Sequence, residues 1–560
     1  MFFLIKEKIA YLKEKKKNIE KNEFTAQILS LVFFVLLGFY VSYPDEFVNL
    51  LGARTILQGK TPYKDFFDHH MPGAWYLGSL FMIFSGSSFV LFRLIWSAFQ
   101  AVFLFFIGRI IKKDNPHLYK YYLIFLISYP LLSVYFWTHL FLADSIAALI
   151  SSAIVWLLIN ESIKKYVSLY TLKILLFLNF FLIFTSLTFV YFALSVYLWI
   201  AVLFFRVKDW KNNLKKMIIF SAFPYLIYTL YLLISNSYRE FWFYNFTYNT
   251  ELYINIPNYT KGRFFNPVKM AFTLIFNFYD RFLPALRRFG GWDFHFPVIQ
   301  TSTLSTFILM LLLFFKRKKY AILFFLLLGF SAPRSSITNL KVADYQSGVF
   351  ITTALVSFFY ALYLIEKHKP KDYLKKTLYA AGFLLLFSYG IFTFIFAAKD
   401  AYEKVFFIYT QKMPRIYDRD YAAEFIDSIL EKNDYFWIGP YEPNRAFFVK
   451  KPKLPGKFPT LLPQFRENQQ IKEEFLAQFD KNPPKIIIFK NDASIFMTPA
   501  TEFGRFFLKY LAEKYTRLSD IAKIQVKKSP SEFNIKTDLY IKNEFKNEII
   551  EKLKKQGFIQ

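Results

Sequence analysis

Apolar runs recur along this chain, each roughly 18–25 residues long and able to span the hydrocarbon of a bilayer, and they place it in the polytopic α-helical membrane class. A cleaved leader does not explain them, because they return as far as about residue 398. The N-terminus carries no cleavage pattern before the first run. It is a Lys-rich arm, from Lys6 to Lys21. Composition agrees: 55% of the 560 residues are hydrophobic, including 74 Phe and 39 Tyr, and a mean hydropathy of +0.27 is high for a soluble protein.

The formal net charge of +29 would suggest nucleic acid in a soluble protein. Here Lys and Arg cluster in short segments between apolar runs, as cytoplasmic loops of membrane proteins do. No nucleic-acid-binding motif accompanies them. Cysteine is absent, which excludes disulfides, thiolate metal sites and a cysteine nucleophile.

About eleven spans are expected, near 25–43, 88–111, 119–136, 141–159, 171–187, 188–205, 217–235, 299–315, 320–334, 349–365 and 375–397. If they alternate, Lys6–Lys21, Arg109–Lys113, Lys164–Lys165, Arg206–Lys216, Lys316–Lys319 and Lys367–Lys376 all fall on the cytoplasmic side. That agreement requires a tight turn at Thr185-Ser186-Leu187-Thr188. The expected organisation is a basic cytoplasmic arm (1–24), a membrane domain (25–398) with outer loops 44–87 and 236–298, and an extracytoplasmic domain (399–560). The last region gains charge and alternates strand-like with helix-like pieces. Strands are expected over Asp434–Gly439 and Lys485–Phe489, and helices over Tyr421–Glu431, Asn468–Phe479 and Thr501–Lys514, which suits an α/β layer. Gly439-Pro440-Tyr441-Glu442-Pro443 reads as a turn, not as a phosphate loop.

Asp45 and Glu46 lie just beyond the first span, where unpaired charge at a low-dielectric boundary is costly and usually has a use. Phe47, Leu50, Leu51 and Leu57 share a helical face, so an amphipathic helix ending near Gly59 should follow, lying on the membrane. Arg54 on that helix either snorkels to the interface or contacts phosphate. The loop beyond holds Lys64, Asp65, Asp68, His69 and His70, which suit acid–base work or a divalent ion as well as they suit a solvated loop. The segment 72–85 is too short to cross and should lie in the interface. Asp144 is expected about a turn inside the fourth span, facing a watery cavity or paired with Arg93. The second outer loop, with Tyr244–Asn249, Arg263 and Arg287–His295, carries aromatics and cations that suit sugar and phosphate, or headgroup anchoring. Arg334 and Tyr345 are similarly placed.

The first loop resembles GT-C glycosyltransferases, polytopic enzymes that take a sugar from a polyprenyl-phosphate carrier on the outer membrane face. The likeness is to the branch with protein O-mannosyltransferases and lipid A aminoarabinose transferases. It rests on Asp45-Glu46, on Gly59-Lys-Thr-Pro62-Tyr63-Lys-Asp65, on His70-Met-Pro72, and on Arg93 and Asp144. It covers the chain to about residue 152 and is looser beyond. Several relatives carry an acidic-Lys-Pro-Pro stretch where this chain has His69-His70-Met71-Pro72.

The resemblance implies an inverting transfer to a lipid, glycan or protein acceptor, with Asp45 as base on the acceptor hydroxyl. Glu46 and Asp144 would be its catalytic companions. Arg54, Lys64, Asp65, His70, Arg93, Arg263, Arg334 and Tyr345 are candidates for substrate contact, with cations favouring the departing phosphate. Asp45, Asp68, His69 and His70 are candidate ligands for a divalent cation. The implied setting is a plasma membrane, multi-pass, with a cytoplasmic N-terminus, surrounding lipids and no nucleic-acid partner. The runner-up reading is a transporter or flippase of lipid-linked glycans. Carriers place ionisable groups near the midplane, often within repeated halves, whereas these acids sit at the rim and no internal repeat is evident. A third reading is a non-catalytic scaffold or receptor.

Overall fold

The computed structural model describes residues 22–134, 136–253, 268, 309, 313, 318–331, 345–367, 395, 398–399, 401–403, 419–521, 524–530 and 533–560. The Lys-rich arm, Arg263, Arg287–His295, Arg334 and all but isolated positions of the expected spans 299–315 and 375–397 lie outside the described residues.

In chain order the first helices are α1 (Asn22–Gly38), α2 (Pro44–Leu57), α3 (Gly73–Ser85), α4 (Phe89–Asp114), α5 (Pro116–Leu132), α6 (Ala143–Ile163), α7 (Leu169–Thr185), α8 (Val190–Phe204) and α9 (Trp210–Ile234). A short α10 (Tyr238–Trp242) runs into a π-helix (Phe243–Leu252), and α11 (Lys318–Phe330) and α12 (Gly348–Lys367) follow. The C-terminal region comprises α13 (Tyr421–Ile429), β1 (Phe436–Gly439), α14 (Pro443–Phe448), α15 (Gln469–Lys481) and β2 (Ile486–Phe489). It continues with β3 (Ser494–Ile495), β4 (Thr498–Pro499), α16 (Arg505–Lys514), β5 (Tyr515–Arg517), β6 (Leu539–Lys542) and α17 (Lys546–Lys555). The expected helix 501–514 is divided at Gly504. The chain forms two compact units: Met1–Val41 with Val90–Leu226 and Arg263–Phe406, and Ser42–Phe89 with Ile227–Gly262 and Phe407–Gln560.

The first unit is helical. Phe89–Asp114, Ala143–Ile163, Leu187–Phe204, Trp210–Ile234 and Tyr345–Lys367 are each long and apolar enough to cross a membrane. The expected polytopic helical class therefore holds. α6 is an interior helix, with 94% of its apolar window buried against neighbours such as α7 and α12. Only 11% of the α9 window is buried, and its exposed side chains, among them Ile218, Ile219 and Phe223, form a surface suited to lipid.

One end of this unit is cross-braced by ions. Lys164 Nζ reaches Asp114 Oδ2 at 2.8 Å and Glu161 Oε1 at 2.6 Å. Arg206 Nη1 donates to the Tyr320 hydroxyl at 2.7 Å, and the Val167 amide donates to the Arg206 carbonyl. The ends of α4, α6 and α8 and the start of α11 are thus neighbours. The chain leaves this end at Val167, climbs α7, turns at the extended Ser186 and returns along α8 to Arg206. Asn179 Nδ2 donates to the Ala193 carbonyl at 3.0 Å, joining positions seven residues either side of Ser186. The turn expected over 185–188 therefore exists, and it keeps the basic loops around Lys164 and Arg206 at the same end.

The second unit combines α2, α3 and the π-helix with the C-terminal α/β layer. Its four-stranded sheet has the order β1-β2-β6-β5. β1 and β2 are parallel, with Phe436 opposite Ile486, while β6 is antiparallel to β2 and β5. Every residue of β1, β2 and β6 is buried, as in strands covered on both faces. The layer core is aromatic: Trp437, Phe475, Phe479, Phe489 and Phe507 are fully buried and meet largely edge to face. Both strands expected from the sequence form, with the parallel pair at the sheet's edge.

Candidate functional site

Asp45 and Glu46 occupy the second and third positions of α2, behind Pro44. Proline at the first helical position sacrifices no needed N–H, and carboxylates there meet the positive end of the helix dipole. Successive helical side chains diverge by about 100°. Here that sends Glu46 into the interior, fully buried, and leaves Asp45 half-buried. Asp45 Oδ1 accepts a 2.6 Å hydrogen bond from the Tyr441 hydroxyl. Tyr441 belongs to the Gly-Pro-Tyr-Glu-Pro segment that leaves the carboxyl end of β1 and enters α14. Glu442 beside it is pinned by Arg445 at 2.7 Å and Lys490 at 3.0 Å.

α14 packs on α2 through aromatic rings. Phe47 meets Phe447 and Phe448 at 5.6 and 5.5 Å. Arg54 Nη2 donates to the Phe447 carbonyl at 2.7 Å, and its guanidinium lies 4.3 Å over the Phe447 ring. Neither expectation for Arg54 included this contact. Burial draws its pKa down to about 10, so it stays charged at neutral pH. Of the expected apolar face, Phe47, Leu50 and Leu51 are buried, and Leu57, in the last turn, is 46% exposed. α2 packs against both α3 and α14. Its end is the expected one. Gly59 adopts φ +75, the Gly59 amide donates to Ile56 O and the Lys60 amide to Thr55 O, a Schellman closure that suits glycine.

The loop that follows folds around Tyr63. This buried residue has φ 68, an uncommon conformation for a bulky side chain. It is held by its amide bond to Phe66 O at 2.8 Å and its hydroxyl bond to His70 O at 2.9 Å. Burial pushes the Tyr63 phenol well above its ordinary range, so it remains a donor. Asp65 closes the turn by accepting from the Thr61 amide at 2.8 Å, and exposed Lys64 donates to Ser235 O at 3.4 Å.

Asp68 is 4% exposed, and its Oδ1 accepts from the His69 amide at 2.6 Å and from His70 Nδ1 at 2.7 Å. Burial opposes its charge, but the His70 ring and the His69 ring and amide outweigh that and hold the carboxyl below its ordinary 3.8. Asp68 Oδ2 has no hydrogen-bond partner among the described residues. One donor atom from each of Asp68, His69 and His70 lies within 4.8 Å of the others. Two imidazoles and a carboxylate suit a zinc-type ion with an open position. Asp45, expected in the same set, is not in this cluster.

The π-helix backs the loop. Its wide turn is rare and frequent at functional sites. Asn249 Nδ2 donates to His69 O at 2.9 Å, and the Tyr253 ring, one residue beyond the helix, lies 4.6 Å from the His69 ring. Tyr244 and Tyr248 are buried against Phe67, so they are packing residues and not open sugar platforms. Phe67 donates its amide to Lys457 O at 2.7 Å, tying the loop to the C-terminal layer.

The helical unit holds the other candidates. Asp144 is buried at the second position of α6, whose cap is Leu142. It therefore lies in the helix's first turn, at the dipole's positive end, and not a turn inside as expected. His139 precedes the helix altogether. Arg93 is buried on α4 and donates to Val41 O at 3.0 Å and His139 O at 3.3 Å. It thereby braces the exit of α1 to the approach of α6. Tyr345 packs its ring 5.9 Å from Trp137 in that approach.

Sequence reasoning missed Tyr441. The available signal was its place after the first strand of an α/β layer, since ligand sites gather beyond the carboxyl ends of such strands.

No family model matches the chain, and no curated protein matches it in sequence. Among solved structures it is similar to ArnT from Cupriavidus metallidurans bound to undecaprenyl phosphate, at 12% identity and a TM-score of 0.49, covering 93% of this chain and 97% of that one. It is also similar to the oligosaccharyltransferase AglB from Archaeoglobus fulgidus, in complex with an inhibitory peptide and a dolichol-phosphate, at 11% identity and a TM-score of 0.39, covering 84% and 69%. At that identity and score the likeness assigns no chemistry, and the functional reading rests on the residues.

Proposed function

We propose that this protein is a membrane glycosyltransferase that moves a sugar from a polyprenyl-phosphate donor to a lipid, glycan or protein hydroxyl, with inversion, on the outer face of a plasma membrane. The observation that carries the reading is Asp45. It is a half-buried carboxylate at a helix N-terminus, in the motif position the family resemblance marks for the base, with one oxygen held by a tyrosine. A carboxylate so placed suits taking the proton from an acceptor hydroxyl. The sugar phosphodiester is itself a good leaving group, so no nucleotide or covalent intermediate is needed. Lys64, Arg93, Arg263 and Arg334 are the cations proposed for the departing phosphate. Asp144 is proposed to orient the acceptor. Asp68, His69 and His70 would hold a divalent ion, which would supply Lewis acidity toward a phosphate oxygen.

The test is release of polyprenyl phosphate from radiolabelled undecaprenyl-phosphate mannose and glucose with mixed lipid, glycan and peptide acceptors. Asp45→Asn should lower turnover by about 10²–10⁴-fold, the range for a general base. Equal turnover by both proteins would keep the enzyme and discard Asp45 as its base. No turnover by folded protein across the panel would favour the carrier reading.

A further inference from the structure

Asp45 lies at the start of α2 and Tyr441 at the carboxyl end of β1, yet their side chains meet at 2.6 Å within one compact unit. The contact is built rather than incidental. On one side of Tyr441, Trp437 of β1 is buried in the aromatic core, and on the other, Glu442 is locked by Arg445 and Lys490. α14 then presses on α2 through Phe447 and Phe448, and Arg54 bonds back to the Phe447 carbonyl. The β1–α14 connection therefore grips α2 near both ends, with Tyr441 at the end that carries the proposed base.

We propose that Tyr441 is a positioning residue for Asp45, so that the C-terminal α/β layer supplies part of the catalytic site and is not a detachable cap. The inference rests on the reading of Asp45 as base. A phenol donating to Oδ1 stabilises the charged form and fixes the plane of the carboxylate. Among the described residues, the charged groups on α2 and on the elements packed against it have partners of their own. α3 has no charged residue, and its titratable Tyr76 faces Tyr231. α14 has Arg445, paired with Glu442. On α2 itself Glu46 is buried and Arg54 is bound to Phe447.

The test uses full-length Tyr441→Phe, which keeps the ring and removes only the hydroxyl. With the same labelled donors, kcat should fall about tenfold with donor KM unchanged. Independently of any substrate, the pH midpoint for dicyclohexylcarbodiimide labelling of Asp45, which requires the protonated acid, should rise by about one unit. Quantification is by peptide mass spectrometry. Wild-type kcat together with an unmoved midpoint overturns the proposal and leaves Asp45 as base if Asp45→Asn is inactive. A raised midpoint in a protein that turns over no donor keeps the Tyr441–Asp45 coupling and removes the transferase reading beneath it.

Discussion

Lys457 serves two distant segments at once. Its carbonyl accepts the Phe67 amide at 2.7 Å, and its Nζ pairs with Glu474 at 2.6 Å. Burial opposes the Glu474 charge, but the Lys457 hydrogen bond and charge, aided by Gln470 and Tyr244, hold its pKa below the ordinary 4.5. A depressed carboxyl stabilises the fold fully above its unfolded pKa and loses that contribution as pH falls through the folded value. Glu474→Gln should therefore lower Tm at neutral pH and flatten the loss of Tm on acidification below about pH 4.5. Thermal unfolding in detergent across that range checks it, and an unchanged acid slope would remove the pair from the account. None of this was legible in the sequence, where Lys457 and Glu474 look like solvated surface charges. Asp45 was legible because a carboxylate just beyond an apolar span is costly wherever the chain goes next.

α2 and α3 approach so closely that a side chain on Gly52 has no room. A Cβ there would meet Trp75 Cδ1 at 2.8 Å. Gly52→Ala should destabilise the protein by about 1–3 kcal/mol, as overpacking of a filled site does. The checks are thermal unfolding and the loss of monodisperse protein in detergent. The existence of α2 was readable from Phe47, Leu50 and Leu51, and its end from Gly59. Its surroundings were not. Periodicity marks an apolar face but does not say what covers it, and the indole of Trp75 and the rings of α14 were both invisible to it. The α7–α8 turn was inferred from charge bookkeeping alone, and the Asn179–Ala193 and Val167–Arg206 hydrogen bonds give it a physical basis.

The unit that holds Asp45 draws on three stretches of chain, the last of which begins at Phe407. Removing Asp400–Gln560 would strip Tyr441 from Asp45, the Phe447 carbonyl from Arg54 and the Lys457 carbonyl from Phe67. The truncated chain should accordingly lose donor turnover as well as acceptor preference. Phosphate release and acceptor selectivity measured separately on that chain check this. Wild-type donor turnover with altered selectivity would make the C-terminal layer a recognition module only.

Bilayer-length apolar runs, the basic clusters between them and the strand–helix alternation near the C-terminus all report local free energies of transfer and backbone propensity. These act within single segments of chain, and they sufficed to place the helical class, the C-terminal layer and the acidic pair. Tyr441, which bonds Asp45, is 396 residues away from it, and Phe447, which bonds Arg54, is 393 residues away. Such contacts come from packing a sheet, a helix and a loop together, and no periodic pattern in one segment encodes the side chain that another segment brings to it.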